Sequence, residues 1–116
     1  MEQRIGRSMD GPGDELQVFL RALTSNTRQR LLRHFTDGNE LTVSEVAERS
    51  GLRPSTTSEH LAVLRRGRLL QSTQDGKLVR YRADKEGIAL LLGELQTYLL
   101  TPPHHPQQDA SRSESP

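Results

Sequence analysis

Residues 42–65 read TVSEVAERSGLRPSTTSEHLAVLR, two short helical patterns separated by a glycine. Thr42 followed three positions later by Glu45 is a capping box, the signature of a helix start. Val43, Val46 and Ala47 then fall on one side of that helix, and Gly51 suits the left-handed residue that ends it. Pro54 fits the first position of the next helix, where Leu61 and Leu64 share a face. Two helices of this length across a glycine turn predict a helix-turn-helix. In that motif the second helix enters the DNA major groove, with residues near its N-terminus meeting base edges. Here those residues are Arg53, Ser55, Thr56, Thr57, Ser58 and His60. Hydroxyl groups donate to or accept from bases and phosphates, and a threonine methyl can touch a thymine methyl. On a core-packed face such hydroxyls would lack partners, so most are expected to point outward.

On the C-terminal side the period changes from helical to alternating. Leu69–Gln74 and Lys77–Arg82 flank Asp75-Gly76, a pair favoured in the two-residue type I′ turn of a β-hairpin. Between Arg49 and Arg82 stand eight basic residues against two acids, Glu59 and Asp75, although the whole chain carries only +1. Such segregation is an electrostatic footprint for phosphate. Arg65 is a candidate phosphate contact, and Lys77, Arg80 and Arg82 suit a wing tracking the backbone or the minor groove, where each neutralised phosphate adds salt-dependent affinity. The competing reading of the hairpin is an exposed edge guarded by charge. Tyr81 is expected to cover the sheet rather than to stack on a sugar.

On the N-terminal side, Leu16, Phe19, Leu20 and Leu23 mark a first helix starting near Asp14. Ser25 is a plausible N-cap for a second, with Leu31, Leu32 and Phe35 inward, and Asp37-Gly38-Asn39 closes it. A last helix runs from about Asp84 to Leu100, with Ile88, Leu91, Leu92, Leu95 and Leu99 in one stripe widened by Ala89, Leu90 and Leu100. That is more apolar surface than a terminal helix needs to sit on a small domain. A second copy is implied.

The fold class is therefore mainly α with one small β-hairpin: a winged helix-turn-helix of five helices, the hairpin lying between the fourth and fifth. The folded unit spans residues 14–100. Residues 1–13 read as a loose arm, and residues 101–116, rich in Pro and Ser, as a disordered tail. With 116 residues, 32% hydrophobic and 3% aromatic, the chain has room for one modest core of Leu, Val and Ala. Without cysteine it has no disulfide, thiolate nucleophile or Cys-based metal site. No apolar run suggests a signal peptide or membrane span, so the cytoplasm is the expected location. Catalytic triad spacing and glycine-rich phosphate loops are missing, which argues against an enzyme.

Three segments together resemble the ArsR/SmtB family of bacterial winged-helix repressors. Residues 23–32 (LTSNTRQRLL) are similar to the family's L-x-x-x-T-R-x-x-I/L-L opening. Residues 58–65 (SEHLAVLR) resemble its S-x-H-L-x-x-L-R recognition helix, and residues 75–82 (DGKLVRYR) its G-R/K-x-x-x-Y wing. The resemblance covers residues 14–100 with the elements in order. It implies an elongated homodimer built on the first and last helices, through Leu16, Phe19, Leu20, Leu91, Leu95, Tyr98 and Leu99. It also implies a repressor of a pseudo-palindromic operator on double-stranded DNA, released by an inducer that is commonly a metal ion. Arg68 stands where the family often has glycine, with Gly67 one position earlier, and Asn26 replaces a usual proline.

The sensing positions depart further. One family site uses cysteines near the start of the third helix, where this chain has Thr42 and Ser44, neither a good soft-metal ligand. A second site spans the last helices of two subunits; here its positions hold Asp84, Glu86, Thr97 and Leu100. His104 and His105 in the tail, joined to Asp84, Glu86 or Glu94, would make an N/O site suited to nickel, cobalt or zinc. The alternatives are a regulator without a sensor, controlled by a protein partner, and an interaction module that no longer binds DNA.

Overall fold

A computed structural model describes residues 13–103. Helix α1 (Asp14–Ala22) is followed by α2 (Asn26–Leu32), which tightens into a 3₁₀ turn at Arg33–Phe35. Then come β1 (Leu41–Thr42), α3 (Val43–Ser50), α4 (Pro54–Arg66), β2 (Leu70–Asp75), β3 (Leu78–Ala83) and α5 (Lys85–Leu100). The arm expected over residues 1–13 and the tail over 101–116 fall almost wholly outside the described residues.

The helix boundaries follow from their caps. The Ser25 side chain accepts from the Arg28 N–H, and both halves of the Thr42–Glu45 capping box are formed. Glu45 accepts from the Thr42 N–H at 2.8 Å, and this bond lowers its pKa below the usual carboxylate range. Gly51 closes α3 in the left-handed region at φ 73°, and Pro54 opens α4.

The core lies where α1, α2, α4 and α5 meet the inner face of the sheet. Phe19, Phe35, Leu31, Leu61, Leu64, Leu70 and Leu91 are fully enclosed there, and Tyr81 covers the sheet. No helix among the described residues is long and apolar enough to cross a membrane.

Two local features differ from the sequence reading. The sheet has three strands in the order β1-β3-β2, because Leu41 and Thr42 pair with Tyr81 and Arg80. The hairpin loop is Gly76-Lys77 rather than Asp75-Gly76, since Asp75 pairs with Leu78. Gly76 has φ 63° while Lys77 does not adopt positive φ. A glycine alone at the first loop position is the pattern of a type II′ turn, which twists the strands as well as type I′ does.

The junction between α4 and β2 also has its own solution. Arg68 adopts φ 65°, the conformation usually left to glycine, whereas Gly67 has φ −82°. Gly67 is needed for space: a Cβ there would sit 3.0 Å from the Ala22 Cβ and 3.1 Å from the Val18 carbonyl oxygen. The Arg68 guanidinium reaches Glu15 of α1 at 3.1 Å and Asp84, at the start of α5, at 3.8 Å.

Candidate nucleic-acid interface

Helix α4 buries Thr57, Leu61 and Leu64 and presents the opposite side to solvent. Ser55 and Ser58 are exposed at its N-terminal half, with Arg53 exposed at its N-cap. Thr56 and His60 are half-buried at the edge of that face. Thr57 is a correction to the expected base-reading set. It is completely buried, and its hydroxyl donates to the Arg53 carbonyl at 2.9 Å. This bond back to the preceding turn satisfies the one hydrogen a threonine can donate, so the residue packs as a core side chain.

His60 has a second engagement. Its Nδ1 lies 3.4 Å from a terminal guanidinium nitrogen of Arg28. The ring therefore spends one edge on α2 and has only Nε2 left for any other partner.

Arg65 is exposed at the C-terminal end of α4, and Lys77 is exposed at the tip of the hairpin. Among the described residues no carboxylate lies within 4 Å of Arg49, Arg53, Arg65, Arg66 or Lys77. Arg80 and Arg82 alternate with the buried Tyr81 and so share the outer face of β3. Arg80 lies 3.6 Å from Asp75, and Arg82 lies 3.7 Å from Glu40. Both acids are more than half exposed, so these pairs are worth little.

The apolar surface expected between protomers is redistributed. Leu16, Phe19 and Leu91 are 2%, 1% and 0% exposed within a single protomer, so their area is already spent on its own core. Leu20 and Leu95 are half-buried, while Tyr98 and Leu99 are exposed. Leu90, Leu92 and Leu100 are exposed beside them. A groove of about 630 Å³ runs between the start of α1 and α5, floored by Leu16 and flanked by Leu90 and Tyr98.

The candidate metal ligands do not assemble among the described residues, where no three His, Cys, Asp or Glu side chains converge. Asp84 serves as the N-cap of α5. One carboxylate oxygen accepts from the Gly87 N–H at 2.9 Å, and the other faces Arg68. Glu86 is exposed in the first turn of that helix, and His104 and His105 lie outside the described residues. This donor set does not fit a transition-metal site, which needs several free ligands at one point.

A paired-helix unit followed by a basic two-stranded wing, which β1 extends into a three-stranded sheet, defines a winged helix-turn-helix protein. Known proteins agree. A helix-turn-helix domain family matches residues 23–73. The transcriptional regulator KmtR of Mycobacterium tuberculosis is 36% identical over 77 residues, 66% of this chain and 58% of KmtR. The match thus spans less than two thirds of that relative. An ArsR-like transcriptional regulator from Rhodococcus sp. RHA1 superposes with TM-score 0.63 at 26% identity, covering 71% of this chain and 76% of that one. Reduced HlyU from Vibrio cholerae superposes with TM-score 0.55 at 32% identity, covering 76% and 90% of the two chains. The chain belongs to the ArsR/SmtB family, a family of transcription regulators and not of enzymes.

Proposed function

We propose that this protein is a transcription repressor that binds a pseudo-palindromic operator in duplex DNA as a homodimer. The observation that carries the reading is the exposed polar face of the N-terminal half of α4, flanked by Arg53 and Arg65, which have no carboxylate within 4 Å among the described residues. Phosphate contacts by Arg53, Arg65, Lys77, Arg80 and Arg82 position the helix, and Ser55, Thr56 and Ser58 face the bases. The dimer forms through the outer faces of α1 and α5, where Leu90, Leu92, Tyr98, Leu99 and Leu100 supply the contact area. One solved relative, Mb0332 from Mycobacterium bovis, is described as a homodimeric winged helix-turn-helix DNA-binding domain. Two recognition helices related by a two-fold axis require half-sites about one helical turn apart.

Selection from a randomised duplex library, followed by fluorescence anisotropy on the winning sequence, tests this. A palindromic winner bound by two chains, with affinity falling by decades as salt rises, supports the reading. Absence of any duplex binding at low salt refutes it. A metal-controlled form of the repressor rests on His104 and His105, because the described carboxylates offer little; control by a protein partner is the alternative. Calorimetric titration with nickel, cobalt and zinc separates the two. Heat that disappears when both histidines are replaced supports metal control, and no heat supports the partner.

A further inference from the structure

The outermost position of α4 is an acid. Glu59 lies two residues after Thr57 and two before Leu61, so it projects roughly half a turn from both buried positions. Ser55, Ala62 and Arg66, at helical spacings of four, three and seven from it, complete that face. Glu59 is exposed, and among the described residues no cation lies within 4 Å of its carboxylate. Asp75, the other acid of the basic stretch, faces Arg80. A free carboxylate at the crest of a helix surrounded by cations is repelled by every phosphate it approaches. Its desolvation against a duplex is offset where it meets a hydrogen-bond donor.

The major groove offers such donors on two bases, the cytosine N4 amino group and the adenine N6 amino group. Adenine presents its acceptor N7 beside N6, and that lone pair repels a carboxylate. Cytosine presents only a C–H next to its amino group. We infer that Glu59 is a specificity-determining residue that accepts from the N4 amino group of one cytosine in each half-site. This deepens the repressor reading and rests on it: Ser and Thr are compatible with several bases, whereas the carboxylate selects one.

The test compares wild type, Glu59→Ala and Glu59→Gln on the selected operator and its single-base variants. Circular dichroism confirms that each variant folds, as expected for an exposed helix position. Wild type should prefer cytosine at one symmetric position by roughly tenfold, the lower end for a direct base contact. Glu59→Ala should flatten the preference at that position alone. Glu59→Gln should move it toward adenine, whose N6 and N7 a glutamine amide matches in bidentate fashion. If Glu59→Ala tightens binding to all sequences while the base preference stays as in wild type, the inference is overturned and the repressor reading stands. Failure of the wild type to bind any duplex overturns both.

Discussion

Arg28 Nη1 stands 3.4 Å from His60 Nδ1, and the same guanidinium donates from Nε to the Ala22 carbonyl at 2.9 Å and from Nη2 to the Arg21 carbonyl at 3.2 Å. One side chain thus joins the C-terminal end of α1, the helix that carries it, and the recognition helix α4. A guanidinium can only donate, so the contact is a hydrogen bond in the tautomer whose Nδ1 carries no proton. The cation also lies where the carbonyls at the end of α1 lack helical partners.

Replacing Arg28 by Ala should therefore cost more than a surface arginine does. Hydrogen bonds from a charged group contribute about 1.5–3 kcal/mol. We expect a loss in that range, read as a fall of about 6–24 °C in melting temperature for a folded unit of this size. His60→Asn keeps an acceptor near the position of Nδ1, and His60→Leu does not. Asn should retain more stability than Leu in the same thermal melts. Equal losses would mean that the Arg28–His60 contact contributes nothing.

At the α4–β2 junction, the sequence places glycine one position before the residue with the unusual backbone. Gly67→Ala should destabilise by about 1–3 kcal/mol, the usual cost of forcing a methyl into a packed site, because the Ala22 Cβ and the Val18 carbonyl bound that space. Arg68→Gly should change stability by less than about 1 kcal/mol. Relief of the left-handed backbone, about 1–2 kcal/mol, opposes the lost pairs with Glu15 and Asp84 and the extra freedom of glycine in the unfolded chain. Urea denaturation of the two variants separates steric crowding from backbone strain.

The capping box gives a pH dependence with a definite sign. The Thr42 N–H holds the Glu45 carboxylate below its ordinary pKa in the folded state. Between that lowered value and the ordinary one, the unfolded chain binds more protons, so stability rises with pH. The contribution is complete above the ordinary carboxylate pKa and disappears as pH falls through the lowered one. Urea midpoints for wild type and Glu45→Gln should therefore converge toward low pH and separate toward neutrality. A gap independent of pH would assign the effect to shape alone.

Much of the fold was legible because caps and periods are local. Ser25, the Thr42–Glu45 pair, Gly51 and Pro54 all act within one turn of their own position, and each helix lies where they place it. What depends on distant partners was not legible. Thr57 reads as one of four consecutive hydroxyls, and only the packing of α4 separates it from Ser55, Thr56 and Ser58. Asp75-Gly76 signals a turn, but the pairing of Asp75 with Leu78 moves the loop by one residue. Strand β1 has two residues, too few for any period to register. On α5 the stripe of leucines is visible, yet the division between Leu91, enclosed by its own protomer, and Leu90 or Leu92, left outside, depends on where the rest of the chain folds back. Glu59 reads in the sequence as one of two acids in a basic stretch, and only its place opposite the buried side of α4 sets it apart.

If α4 and the wing track phosphates, the cations differ from the hydroxyls in a measurable way. Arg65→Ala should weaken binding by a similar factor on every duplex. The slope of log affinity against log salt should become shallower by about one counterion per protomer. Thr57→Val should leave base preference unchanged while lowering stability, because its buried hydroxyl already has a partner. A changed base preference in Thr57→Val would contradict the burial of that side chain.

The two-fold assembly is tested by a contrast within α5. Leu99 is 65% exposed and Leu91 fully enclosed, although both belong to the same stripe in sequence. Leu91→Ala removes core volume and should cost about 2–5 kcal/mol of protomer stability. Leu99→Asp leaves that core untouched and puts a charge on the face assigned to the partner. In sedimentation equilibrium it should shift the protein from dimer to monomer with its helical content retained. Operator affinity should fall with it, because the second half-site is then bound from bulk solution instead of at the high effective concentration that a linked pair enjoys. A Leu99→Asp protein that remains dimeric would move the interface away from the outer face of α5.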